Sequence, residues 1–274
     1  MTTKTITVAV AQIAGTANVD NNIGAVKRMA AQAAARGASL ILFPEATMYD
    51  FSASAEQIAT AADQYGEAFE ARISEIAAEQ GIAIVIGTYR SGAARLARNM
   101  LIAVGPGGDL LGQYQKLHLY DAFDYKESLK NESAPLAPDF GELTTFELGG
   151  FRFGLLNCYD LRFPEIARLL VDQGAEILLV ASAWVAGPSK AFHWETLIKA
   201  RAIENTCFVA ASCQPAPLSV GLSMVLDPTG IPIGAVPDGD GLALATLDAD
   251  RLAAVRDVLP CLEHRRYRIV QPAP

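Results

Sequence analysis

Three times in this chain a helix-patterned run gives way, through one glycine, to a short and almost purely apolar run. Residues 22–36 carry Ile23, Val26, Met29, Ala30 and Ala33 at helical spacing, Gly37 stands where a left-handed residue ends a helix, and Ser39-Leu-Ile-Leu-Phe43 follows. The pattern recurs in a helical run ending near Gln80, Gly81 and Ile82-Ala-Ile-Val-Ile-Gly87. It recurs again in a run from about Pro164, Gly174 and Ala175-Glu-Ile-Leu-Leu-Val180. Strands without a polar face must be covered on both sides, so these units predict βαβ crossovers and the buried sheets of an α/β protein.

The rest of the chain fits that frame. Residues 5–12 alternate and are β-branched, as a strand requires, and residues 99–104 and 110–114 flank the turn Pro106-Gly-Gly-Asp109 as a hairpin. Residues 207–213, 221–226 and 242–247 read as further strands, with Asp227-Pro-Thr-Gly230 as another turn. No stretch is rich enough in Pro, Gly or charge to act as a linker, so residues 1–274 are expected to form one domain. A chain that is 51% hydrophobic can bury such a core.

A net charge of −8 argues against nucleic acid and anionic membranes as partners and leaves small-molecule chemistry. No run approaches the roughly 18 apolar residues of a membrane span and no signal peptide is recognisable, so a cytoplasmic protein is expected. The four cysteines, at 158, 207, 213 and 261, are too sparse for a disulfide framework and lack C-x-x-C spacing. Neither a metal nor a cofactor is expected.

The stretch Phe151-Arg-Phe-Gly-Leu-Leu-Asn-Cys158-Tyr-Asp-Leu-Arg-Phe-Pro-Glu165 combines an apolar strand with a helix start. Gly154 admits a close neighbour, and Pro164 suits a first helical turn. Cys158 thus leaves a strand for a turn that opens a helix, where free N–H groups favour thiolate. Most cysteines in apolar settings are inert core filler, but Asn157, Asp160, Arg162 and Glu165 are unusual company for one.

Two more reactive side chains end strands: Glu45 directly after Pro44, and Lys116 after Leu111-Gly-Gln-Tyr-Gln115. Taken singly, they read as a solvated loop acid and a surface lysine. Ligands of α/β sheets gather at strand ends, however, and these three groups together suffice for acyl transfer. The carboxylate takes the thiol proton, the thiolate attacks a carbonyl or nitrile carbon, and the ammonium stabilises the oxyanion.

Phe43-Pro-Glu45, Tyr114-Gln-Lys116-Leu-His118-Leu and Asn157-Cys158-Tyr-Asp-Leu-Arg-Phe-Pro-Glu165, in this order, resemble the nitrilase superfamily of carbon–nitrogen hydrolases. Glu127-Ser128, Ser182-Ala-Trp184, His193-Trp194, Ala200-Arg-Ala-Ile-Glu-Asn205 and Gly221-Leu-Ser-Met-Val-Leu-Asp-Pro-Thr-Gly230 extend the resemblance over essentially the whole chain. It implies a four-layer αββα sandwich, two central sheets flanked by helices, whose protomers pair as a homodimer or higher homo-oligomer. It also implies Glu45 as general base and acid, Lys116 as oxyanion donor, Cys158 as the nucleophile that forms a thioester, and Glu127 as an assisting glutamate. The backbone N–H of Tyr159 would be the second oxyanion donor. One departure stands out: after Glu-Ser the family usually shows a short spacer and then Pro-Gly, whereas here Leu129-Lys-Asn-Glu-Ser-Ala134 runs to Pro135-Leu-Ala without the glycine.

Within the superfamily, the residues after Cys158 are most similar to the ω-amidase and deaminated-glutathione-amidase group. That implies hydrolysis of a small terminal amide to carboxylate and ammonia. The alternative is an N-carbamoyl amine or amino-acid hydrolase, which also releases carbon dioxide; an inactive binding protein is disfavoured because all three reactive residues are present. His193 is expected to be structural, and His118 to orient its loop. Trp184, core or pocket wall, is placed at the wall by its strand's position beside that of Cys158. Arg162 has two readings: a brace tied to Asp160 or Glu165, or a fork that grips a substrate carboxylate. The basic, partly apolar tail at 262–270 suits an interface between protomers.

Overall fold

Alternation along the strands decides the layering. In β1 (Thr5–Gln12), Val8 and Val10 face one way, Ala9 and Ala11 the other, and all four are fully buried, so this strand lies inside the molecule. The computed structural model describes residues 4–271; the ends of the 1–274 span fall outside the described residues. After β1 come α1 (Val19–Ala35), β2 (Leu40–Leu42), α2 (Ala55–Gln80), β3 (Ala83–Ser91), β4 (Ala97–Val104) and β5 (Leu110–Gln115). A loop follows with the small hairpin β6 (Asp121–Ala122) and β7 (Tyr125–Lys126), then β8 (Asn131–Glu132). The second half runs β9 (Thr145–Leu148), β10 (Phe151–Asn157), α3 (Pro164–Asp172), β11 (Ile177–Ser182), α4 (Lys190–Asn205), β12 (Phe208–Cys213), β13 (Ser223–Leu226), β14 (Pro232–Val236), β15 (Gly241–Asp248) and α5 (Ala249–Val258).

Two sheets result. One has the order β15-β1-β2-β3-β4-β5 with β8 paired to β4, and the other has the order β14-β13-β12-β11-β10-β9. Val8, Val10, Leu40 and Leu42 of the first meet Phe153, Leu155, Ile177 and Leu179 of the second in a central core. On the far face of the first sheet, Ala9, Ile41 and Ile84 pack under Val26 and Ala30 of α1 and Phe69 and Ile73 of α2. On the far face of the second, Leu156, Leu178 and Val209 pack under Leu170 of α3 and Ile198 of α4. The chain is a four-layer αββα sandwich with three apolar interlayers, which is why its strands carry almost no polar face.

Local signals set the element ends. Gly81 closes α2 in the left-handed region at φ +62°, and Ser54 opens it with a capping box to Gln57. Helix α1 begins earlier than the 22–36 pattern predicts, because the Asn18 side chain caps it by accepting the Asn21 N–H at 2.9 Å. Asn22 instead lies buried within the first turn, where Nδ2 donates to Met48 O at 2.9 Å. At Gly154 a Cβ would stand 3.1 Å from Leu170 Cβ, so the missing side chain lets α3 lie close on β10. β14, which the sequence pattern did not predict, is an edge strand with a proline and a glycine and three exposed residues.

Candidate active site

Each sheet has a parallel pair, β2 with β3 and β10 with β11, and Glu45 and Cys158 follow strands of these pairs while Lys116 follows β5. Glu45 follows β2. Its turn is pinned by Gly87 N–H donating to Pro44 O at 3.2 Å, and a Cβ on Gly87 would come within 2.7 Å of Glu45 Cα. Lys116 follows β5 opposite Asn99 of β4, its own N–H donating to Asn99 O at 2.9 Å, so the two side chains leave the sheet together. Cys158 follows β10 at φ +50°, a strained conformation for a non-glycine residue that turns the chain sharply at the strand end.

These side chains form a closed polar cage. Lys116 Nζ donates to Glu45 Oε1 at 2.8 Å and to Glu127 Oε2 at 2.7 Å. Asn99 Nδ2 donates to Glu45 Oε1 at 2.8 Å and to Glu127 Oε1 at 3.1 Å. Ala183 N–H donates to Glu45 Oε2 at 2.9 Å, Tyr120 N–H to Glu127 Oε2 at 2.7 Å, and Asn131 Nδ2 to Glu127 Oε1 at 3.2 Å. Every carboxylate oxygen therefore has a donor, as buried charge requires.

The electrostatics follow from this arrangement. Burial pushes the Glu45 carboxyl up, but the Lys116 charge and the hydrogen bonds from Lys116 and Ala183 more than offset it, leaving Glu45 below its ordinary value. Burial likewise works against the Lys116 ammonium, yet Glu127 and Glu45 hold its pKa well above the ordinary range. The Cys158 thiol is pushed well up, first by burial and then by Glu45. This corrects the expectation of a thiolate favoured by a helix start. Residues Cys158–Arg162 form a 3-10 turn and α3 begins only at Pro164, so its N-terminus is too far along the chain to offset desolvation. At rest the site holds a carboxylate, an ammonium and a neutral thiol.

Arg162 reaches the pocket and does not brace the turn as one reading had it. Asp160 is already engaged by Tyr114 OH at 2.8 Å and by His118, whose N–H donates at 3.0 Å and whose Nδ1 lies 2.9 Å away. Among the described residues, no ion pair or hydrogen bond joins Arg162 to Asp160 or Glu165. Its guanidinium instead lies 4.6 Å from the centre of the Trp184 ring and 3.5 Å from His193 Nδ1, with a buried Nε that has no partner among the described residues. Tyr159 and Trp184 also line the pocket, and Trp184 Nε1 donates to Lys190 O at 3.0 Å.

Lys190, Asn99 and Tyr120 were not picked out from the sequence. Lys190 is 6% exposed, lines the pocket, donates to Tyr120 OH at 2.6 Å and stands 3.6 Å over the Phe123 ring. Its signal was a cation as first residue of a helix, against the usual preference there. The segment lacking the Pro-Gly is held along β4: Ala97 N–H donates to Lys130 O at 3.0 Å, and Ala134 N–H to Lys116 O at 3.0 Å. Among the described residues there is no cluster of His, Cys, Asp and Glu able to hold a metal ion, and no helix long and apolar enough to cross a membrane.

Comparison with known proteins agrees with this geometry. Residues 7–257 match the carbon–nitrogen hydrolase family model. The chain is 35% identical to the deaminated glutathione amidase of Escherichia coli O157:H7 over 264 residues, 95% of this chain and 97% of that one. It is 33% identical to the rat protein of the same name, over 94% of this chain and 82% of that one. Among solved structures, an amidase of the nitrilase superfamily from Nesterenkonia AN1 superposes with a TM-score of 0.80 at 27% identity, covering 94% of this chain and 96% of that one. The NitFhit protein of C. elegans superposes with a TM-score of 0.87 at 26% identity, covering 97% of this chain and 66% of that one. The chain therefore belongs to the carbon–nitrogen hydrolases of the nitrilase superfamily, and it is a hydrolase of carbon–nitrogen bonds other than peptide bonds.

Proposed function

We propose that this amidase cleaves a small terminal amide to a carboxylate and ammonia through a thioester on Cys158, and that its substrate carries a second, remote carboxylate. The observation that carries this reading is a single pocket lined by Glu45, Lys116 and Cys158 and also by two cations that have no acidic partner among the described residues, Arg162 and Lys190. Cationic groups buried without counter-charge gain most from an anion supplied by the ligand. The names of the relatives support an amide substrate, and in a glutamate-to-glutamine mutant of the Nesterenkonia amidase the acetamide moiety of fluoroacetamide is covalently added to the active-site cysteine.

The steps balance as follows. As Cys158 sulfur attacks the amide carbon, its proton passes to Glu45 and the carbonyl electron pair moves onto oxygen. Lys116 has two of its three N–H bonds committed to Glu45 and Glu127, which leaves one for that oxyanion beside the Tyr159 N–H. Glu45 then passes its proton to the departing nitrogen, the C–N bond breaks, and ammonia leaves a thioester behind. A water molecule gives a proton to Glu45 and attacks the thioester; that proton returns to sulfur as the acid departs. Glu127 keeps Lys116 charged and in place.

The test is a panel of ω-amides of dicarboxylic acids, neutral amides of equal size and N-carbamoyl compounds, assayed for ammonia and carbon dioxide. Ammonia alone, released fastest from the carboxylate-bearing amides, is expected; carbon dioxide release or a preference for neutral amides would overturn the reading. We further propose that residues 1–274 act as one domain in a cytoplasmic homodimer, without nucleic acid or membrane partners. Tail residues Tyr267 and Val270 are 91% and 79% exposed, which favours pairing through the tail. A mass near 29.1 kDa by light scattering would refute the dimer.

A further inference from the structure

Ser182 closes β11 beside the nucleophile. β10 and β11 pair in parallel with Asn157 opposite Ala181, so the next residues across the ladder are Cys158 and Ser182. The neighbouring Ala183 N–H holds Glu45. Ser182 is fully buried and its Oγ makes no hydrogen bond of ordinary geometry among the described residues, although the hydroxyl bears on the Cys158 sulfur closely enough to oppose the effect of burial on the thiol. Ser212, on the adjacent strand, is just as buried but donates to Ala11 O. An idle buried hydroxyl is costly, and alanine would fill the same place without that cost.

Resting on the thioester reading, we infer that Ser182 is a further catalytic residue, whose hydroxyl donates to Cys158 sulfur once the thiol proton has passed to Glu45. A donor left idle in the ground state and engaged only when negative charge reaches the sulfur stabilises the reacting state selectively. The other groups bearing on the sulfur are Glu45 and Lys116 in the cage and Tyr120, Tyr125 and Lys190 in the surrounding loops; Ser182→Ala leaves all of them in place.

The experiment uses Ser182→Ala in the full chain. Iodoacetamide alkylation is followed at Cys158 by mass spectrometry across pH, beside kcat, KM and the melting temperature. We expect the alkylation profile to move to higher pH, kcat to fall about 10- to 100-fold, KM to stay within about twofold, and the melting temperature to hold or rise. Ser182→Thr, which keeps the hydroxyl, should retain the original profile. An unmoved alkylation profile overturns the inference, and so does an alanine variant that fails to fold, because an idle hydroxyl adds nothing to resting stability. A silent Ser182→Ala in an enzyme that still requires Cys158 removes only this inference. Activity surviving in Cys158→Ala removes the thioester reading itself.

Discussion

Lys116 and Lys190 line the same pocket and are almost equally buried, at 1% and 6% exposed, yet their surroundings are opposite. Lys116 sits between two carboxylates whose charges hold its pKa well up against the pull of burial. Lys190 has a tyrosine hydroxyl, two aromatic faces and the neighbouring Arg162; burial and then that arginine lower its pKa. Burial alone therefore does not assign a buried lysine. A lysine compensated from within the protein is fixed in the cage, whereas one left uncompensated is set to gain from a ligand's charge.

Deleting the compensated lysine breaks this comparison hardest. Lys116→Ala leaves Glu45 and Glu127 close together without a counter-charge. Turnover should fall about 10³-fold or more and stability by about 3–5 kcal/mol, read from ammonia release and denaturant melts. Cys158→Ala removes no charge and should lose at least as much turnover with a near-native melt. A Lys116→Ala melt equal to wild type would contradict the ion-pair account.

Deleting the uncompensated lysine sharpens the comparison. Lys190→Met should raise KM for amides with a remote carboxylate by about 10-fold or more while leaving neutral amides of equal size nearly untouched. Its melting temperature should not drop, since the change relieves repulsion with Arg162. Arg162→Lys keeps the charge but loses the fork, and should give a smaller rise in the same direction. Equal rises for both substrate types would mark these residues as packing.

A smaller effect concerns pH. Folding lowers the Glu45 pKa, so Glu45 stays ionised and its pair with Lys116 stays intact from neutral pH down through the ordinary glutamate value of about 4.3. As pH falls through the lowered folded value, protonation ends both the base and the stability the pair contributes. The acid limb of kcat/KM should therefore lie below about pH 4.3. A limb near pH 6 would place another group in the role of base. The smallest expected effect is none: EDTA should leave activity unchanged, and a loss restored by zinc would reveal a metal site.

The glycine-punctuated repeats were legible because each reports a local fact. Gly37 and Gly81 do lie at positive φ, and the runs they introduce are buried on both faces because they form central strands covered by helices on one side and by the other sheet on the other. Cys158, Glu45 and Lys116 were legible through strand-end position and motif, and the fold brings them together with Glu127. The thiol's protonation was misjudged because a helix start is visible in sequence and desolvation is not. The two readings of Arg162 could not be separated in sequence, because Asp160, close in sequence, is engaged by Tyr114 and His118 from the other sheet's side of the site. Asn99 was missed because it carries no local signature of its own, and Lys190 because its one signal, a cation opening a helix, is visible only once the helix start is known.

The sequence by itself determined the alternation of helix and buried strand, the family to which the chain belongs, and which side chains are capable of the chemistry. These follow from short-range periodicity, from backbone conformations that glycine adopts without strain, and from motifs read in order. Only the tertiary structure decided which of two buried lysines is neutralised, that burial pushes the cysteine thiol up, and which cations face the pocket without an acidic partner among the described residues. Those properties depend on charges and burial contributed by residues far apart in the chain, such as Glu45 with Ala183 and Arg162 with Lys190. Electrostatic energy is a function of distance in space, which spacing along the chain does not encode.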